Sequence, residues 1–177
     1  MAFLLLPLCV AGSWQQAVNQ TAAHLQDFER NVQDYIKLRK KIIKEIPPLK
    51  PTDSSEALAA HQKKLSQRIR KARSGARQGD IFTPAVAAEF RRLISMPMKG
   101  QQAAIKQSMK NAEPVQVKLV VNQEYPTSLP LQSTPPTLLQ SLPRLPAELD
   151  YRIAGQNLGL RDVQANLILD FIPRAIP

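Results

Sequence analysis

A single cysteine, two histidines, six glycines and few aromatics leave this 177-residue chain short of the side chains from which most catalytic sites are built. With Cys9 alone, neither a disulfide within the chain nor a thiolate metal set can form, so the fold must hold by burial. His24 and His61 lie in separate helical stretches, with no acid or cysteine beside them at metal-ligand spacing, and read as helix-surface residues. No G-x-S-x-G accompanies them, which argues against a Ser-His-Asp hydrolase. The glycines, at 12, 75, 79, 100, 155 and 159, build no phosphate-cradling loop. Acids are scarce too: 14 against 24 lysines and arginines, a formal net charge of +10. No signature of an enzyme emerges, and neither a cofactor nor a metal is expected.

Long hydrophobic runs are also missing. The longest, residues 3–11, is broken by Pro7 and falls far short of the roughly 20 residues a membrane-spanning helix needs. It ends in Ala11, Gly12 and Ser13, matching the apolar core and small-residue cleavage region of a secretory signal. Residues 1–13 are therefore expected to be a signal peptide cut among Ala11, Gly12 and Ser13, leaving no transmembrane helix in the mature chain. Such signals carry lysine or arginine ahead of the run, whereas Met1-Ala2 supplies only the free amino group. A start further upstream, or a buried apolar N-terminus, would account for that. A lipoprotein cysteine at position 9 would want a small residue before it, and Leu8 is bulky.

What the chain has is positive charge, unevenly spread. Residues 14–112 carry 19 Lys and Arg against 8 Asp and Glu, and residues 113–177 carry 5 against 6. Lys63, Lys64, Arg68, Arg70, Lys71, Arg73 and Arg77 fall within residues 61–79 with no acid among them. Lys37, Arg39, Lys40, Lys41 and Lys44 form a second group. Composition changes at the same place. Helix-compatible Ala, Gln, Lys and Arg dominate to residue 112; a Val-rich run follows, then prolines at 126, 130, 135, 136, 143 and 146. Proline fixes φ and has no amide proton, so residues 126–146 predict an extended crossover, laid on a surface by leucines such as Leu142 and Leu145. The division is a basic helical region, 14–112, and a β-rich region, 113–177.

Within residues 14–46, Val18, Thr21, Leu25, Phe28, Val32, Tyr35, Arg39, Ile42 and Ile46 recur at spacings of three and four, the stripe of a long amphipathic helix that Pro47-Pro48 ends. A second helix is predicted from an N-cap at Asp53 or Ser54, with Leu58, Leu65, Ile69 and Ala72 inward and Gly75 and Gly79 stopping it. Thr83-Pro84 opens a third, with Val86, Phe90, Leu93 and Ile94 inward, and a fourth covers 101–111. Alternation with period two then marks strands: Val115, Val117, Leu119 and Val121; Leu149, Tyr151 and Ile153; Leu158 and Leu160; Leu167, Leu169 and Phe171. Ala154-Gly155-Gln156-Asn157 is a turn signal. Three to four antiparallel strands with one apolar face need a cover, and the helices supply it. The predicted fold is α+β: an N-terminal helical half, a long helical hairpin plus two shorter helices, packed on a small C-terminal antiparallel sheet.

The Pro-rich TPPTLLQSLPRLP, the hairpin ELDYRIAGQNLGLRD and the closing ANLILDFIP resemble a group of uncharacterised exported bacterial proteins over the last third of the chain. The resemblance implies an exported bacterial protein and brings no reaction with it.

Asp150, Asp162 and Asp170 invite a paired-carboxylate reading for acid–base chemistry. Asp162, however, sits at a turn where aspartate caps its own backbone, and Asp150 and Asp170 are expected on polar strand faces near Arg152 and Arg174, as cross-strand ion pairs. The basic residues are the candidate site. Lys63, Lys64, Arg68, Arg70, Lys71, Arg73 and Arg77 form an expected anion-binding face, suited to an anionic envelope surface or an acidic protein partner. Aromatics among the cations and a nucleic-acid-binding motif are lacking, which argues against nucleic acid, and a merely solvated face is the plain alternative. The expected role is a non-catalytic binding or structural component of the bacterial cell envelope; an intracellular nucleic-acid-binding protein using the same helices is the competing reading.

Overall fold

The apolar stripe of residues 14–46 becomes one helix, α1 (Gly12–Lys44), in the computed structural model, which describes residues 12–96, 118–126 and 140–176, with side chains from residue 20. Phe28, Val32, Tyr35, Ile36 and Ile42 are buried along it, and so is Arg39. Helix α2 (Ser55–Ala72) starts where Ser54 Oγ accepts the Ala57 amide proton at 3.2 Å. Helix α3 (Pro84–Ser95) starts where Thr83 Oγ1 accepts that of Val86. In both, the hydroxyl takes one of the amide protons left without a partner in a first helical turn.

Helix α2 runs back along α1, because Arg68 meets Glu45 while Arg73 lies over the Tyr35 ring, ten residues earlier in α1. Only its second half is seated: Leu65, Ser66 and Ile69 are buried, and nothing before them is. Leu58 and Ala72, expected inward, are exposed. Leu58 precedes the part of α2 that α1 covers, and past Ile69 it is Arg73, not Ala72, that meets α1 and the sheet. Because α1 packs on both α2 and α3, the described residues do not establish a long two-helix hairpin as the organising unit.

The strands β1 (Leu149–Ala154), β2 (Asn157–Asp162) and β3 (Leu167–Ile172) form an antiparallel meander in that order. The two-residue turn between β1 and β2 places Gly155, at φ 57°, in its first central position, a conformation glycine adopts without strain. A bulge interrupts the β2–β3 ladder: Leu160 pairs with Asp170 and Arg161 with Ile168, leaving Leu169 unpaired. The extra residue turns Leu169 and Asp170 both toward the helices and shifts everything after them by one. Phe171, expected inward with Leu167 and Leu169, therefore lies on the opposite face with Ile168, and Ile172 takes the inward position.

Helices cover one face of the sheet. There Phe28, Phe82 and Phe90 cluster, with Phe90 edge-on to the other two at 4.8 and 5.1 Å between ring centroids, and Tyr151 of β1 completes the group. Residues 118–126 cover the other face with Leu119 and Tyr125. No regular strand forms over 118–121. Asn122, at φ 62°, turns the chain so that pairing begins after it: its amide donates to Ile168 O, and Ile168 N donates to Gln123 O. The expected signal segment through residue 11, the fourth helix at 101–111, the strand residues 115–117 and crossover residues 127–139 lie outside the described residues. In the described end of the crossover Leu142 is buried and the Pro143 carbonyl accepts the Tyr151 hydroxyl proton, as a surface-laid segment requires.

Candidate functional site

Asp170 has no exposed surface, and the expectation of a solvated face is corrected here. The bulge turns its carboxylate onto the connection between α2 and α3, where it accepts amide protons from Gly79 at 3.0 Å, Ile81 at 2.8 Å and Phe82 at 2.7 Å, besides its neighbour Phe171 at 2.8 Å. Gly79 stands at φ 95°, which lets its amide point inward. Converging backbone amides make an anion-binding concavity, and this one is filled by the chain's own carboxylate. It fastens the α2–α3 connection to β3.

Asp162 caps its own turn as expected, Oδ1 accepting the Ala165 amide proton at 2.8 Å. Its other oxygen reaches α1, accepting from the Tyr35 hydroxyl at 2.6 Å and from Arg39 Nε at 2.7 Å. Burial, reinforced by the Asp162 charge, pushes the Tyr35 phenol far above its ordinary value, so it stays a proton donor. Across the Tyr35 ring lies Arg73, its Nη2 donating to the Leu169 carbonyl at 3.0 Å and its Nη1 to Asn122 Oδ1 at 3.1 Å. The bulge leaves Leu169 without a ladder partner, and the guanidinium supplies one.

On the opposite sheet face Asp150 pairs with Arg161, directly across the β1–β2 ladder, at 2.8 Å and with Arg152 at 2.6 Å. Arg152 was the expected partner, but it lies on the same strand; the cross-strand partner is Arg161, and the group is largely covered rather than solvated. The three aspartates are thus not assembled as a pair for acid–base chemistry: Asp150 faces away from the helices, and Asp162 and Asp170 are each enclosed by their own donors. His24 and His61 sit half-buried on α1 and α2 respectively.

Three of the seven expected anion-binding residues are engaged and four are not. Arg68 pairs with Glu45 at 3.6 Å, Arg70 with Glu124 at 2.9 Å, and Arg73, half-buried, is held by Asn122 and the Leu169 carbonyl as described. Lys63, Lys64, Lys71 and Arg77 are exposed with no acidic partner among the described residues. In the second group Arg39 is buried on Asp162 and Lys37 pairs with Asp34 at 2.9 Å, whereas Lys40, Lys41 and Lys44 are exposed with no acidic partner among the described residues. The guanidinium fork serves several acceptors in a fixed geometry, which suits Arg39 and Arg73 to their buried and half-buried places. Arg73 is therefore withdrawn from the anion-binding face: Arg73→Glu would destabilise the fold as well as reverse a charge.

Comparison with protein-family models, with curated proteins and with solved structures returns no match. Among the described residues no helix is long and apolar enough to cross a membrane.

Proposed function

We propose that the protein is an exported, non-catalytic binding or structural component of the bacterial cell envelope, holding to an anionic surface through the lysines of α1 and α2. The observation that carries this reading is that Lys40, Lys41, Lys44, Lys63, Lys64 and Lys71 stand exposed without acidic partners among the described residues, while Arg68 and Arg70 between them are engaged. Six such cations, each contributing on the order of 1 kcal/mol beside an anionic membrane, suffice for salt-sensitive attachment. Enclosure of Asp162 and Asp170 within the fold supports a role without catalysis. Export rests on residues 1–13 and on the resemblance of the C-terminal third.

Cell fractionation with mass spectrometry of the N-terminus tests the export half, with a chain beginning near Gly12 or Ser13 expected outside the cytoplasm. Sedimentation with anionic and neutral vesicles tests the binding half. Cytoplasmic protein with Met1 intact, ignoring anionic vesicles even at low salt, overturns the reading. Tight nucleic-acid binding with cytoplasmic residence would establish the competing one.

A further inference from the structure

Among the described residues, Ile43, Leu49 and Leu58 are three of the five large apolar side chains left exposed, at 36, 39 and 49%. They follow one another across the end of α1, the connection and the start of α2. The seating of α2 explains why they stay uncovered. Arg68 is already level with Glu45 at the end of α1, so Ser55 stands about 20 Å further along the axis at 1.5 Å per residue. Residues 55–64 project past α1, and the stretch carries no buried side chain. Lys40, Lys41, Lys44, Lys50, Lys63 and Lys64 are exposed within the same residues 40–64, without acidic partners among the described residues. Its acids are fewer: Glu45 is paired with Arg68, Glu56 accepts the Ser54 hydroxyl proton at 2.8 Å, and Asp53 precedes the helix.

Resting on the anionic-surface reading, we propose that this corner, residues 40–64, seats in an anionic phospholipid bilayer, its lysines at the headgroups and Ile43, Leu49 and Leu58 in the headgroup–acyl boundary. Exposed lysines interspersed in sequence with exposed aliphatic side chains on a projecting element match that boundary. The duplex backbone of a nucleic acid gives aliphatic side chains nothing to enter, and stacking on single strands needs aromatics, which the corner lacks. An acidic protein would need a groove fitted to all three side chains; a fluid surface needs none.

The test uses the full chain and vesicles of phosphatidylcholine with or without phosphatidylglycerol. Wild-type protein should bind only the phosphatidylglycerol vesicles. Combined Ile43→Ser, Leu49→Ser and Leu58→Ser should lower that partitioning about tenfold or more, since each aliphatic loses its burial in lipid. Met96→Ser with Val163→Ser, which removes the other two exposed apolar side chains, should leave it unchanged. An unaltered denaturation midpoint certifies the fold. As a second readout, Leu58→Trp should gain quenching by lipids brominated in their acyl chains, and Val163→Trp should not. Wild-type binding that the triple variant retains, or absence of quenching at position 58, overturns the corner and spares the anionic-surface reading. Failure of the wild type to bind at all overturns both.

Discussion

Asp170→Asn changes one oxygen to an amide nitrogen in a carboxylate that gathers four backbone amide protons, those of Gly79, Ile81, Phe82 and Phe171. The Gly79 amide is shared between the two oxygens, at 3.0 and 3.2 Å, so the remaining oxygen keeps two or three of the four, and the new NH₂ group turns donors toward donors. One or two N–H groups left unmet cost about 1–3 kcal/mol each. That is a large part of the roughly 5–15 kcal/mol by which folded domains are stable. With a urea slope of about 1–3 kcal/mol per molar, the unfolding midpoint should fall by about 1 M. Hydrogen exchange locates the loss: the amides of Gly79, Ile81 and Phe82 should exchange fastest relative to wild type, because the α2–α3 connection is what the carboxylate holds. A midpoint shift below about 0.3 M, with those three amides still protected, would refute the assignment of Asp170 as the fastener.

The other predictions follow from the same contacts. Leu169→Ala should destabilise by about 2–5 kcal/mol in denaturant unfolding, since the side chain is fully buried on the helix face. Arg73→Ala should cost about 2–4 kcal/mol by leaving the Leu169 carbonyl and Asn122 unmet, whereas Lys71→Ala should stay within about 0.5 kcal/mol; equal effects would contradict the division of the basic residues. Glu89, buried on α3, is held below the ordinary carboxylate range chiefly by hydrogen bonds from Arg92. A folded-state value below the unfolded one means the stabilisation is complete above about pH 4.3 and fades as pH falls through the folded value. Acid titration of stability should therefore show the gap between wild type and Glu89→Gln narrowing below about pH 4.

Features that depend on neighbouring residues were legible in the sequence. Ser54 and Thr83 cap their helices because an N-cap hydroxyl needs only the amide three residues on. The stripe of α1 held at Phe28, Val32, Tyr35 and Ile42, and Arg39 within it is buried on Asp162, a partner the spacing did not reveal. Asp150 was readable as a polar-face residue of a hairpin, though its cross-strand partner Arg161 was not. What was hidden depends on distant chain. Periodicity marks the stripe of α2 but not where α1 stops covering it, so Leu58 was misplaced. The bulge at Leu169 leaves no trace in the alternation, and with it went the facing of Phe171 and Asp170. Counting charges could not separate the arginines that fasten the fold from the lysines that remain free, because their partners, Glu124, Asn122 and the Leu169 carbonyl, lie 49 to 96 residues away along the chain.

The free lysines are tested most directly by replacing Lys63, Lys64 and Lys71 together with glutamine and measuring partitioning into phosphatidylglycerol-containing vesicles at low salt. Removing three cations worth on the order of 1 kcal/mol each should weaken binding about a hundredfold at an unchanged unfolding midpoint. Binding that survives the substitution at full strength would contradict the assignment of these lysines as the attachment surface.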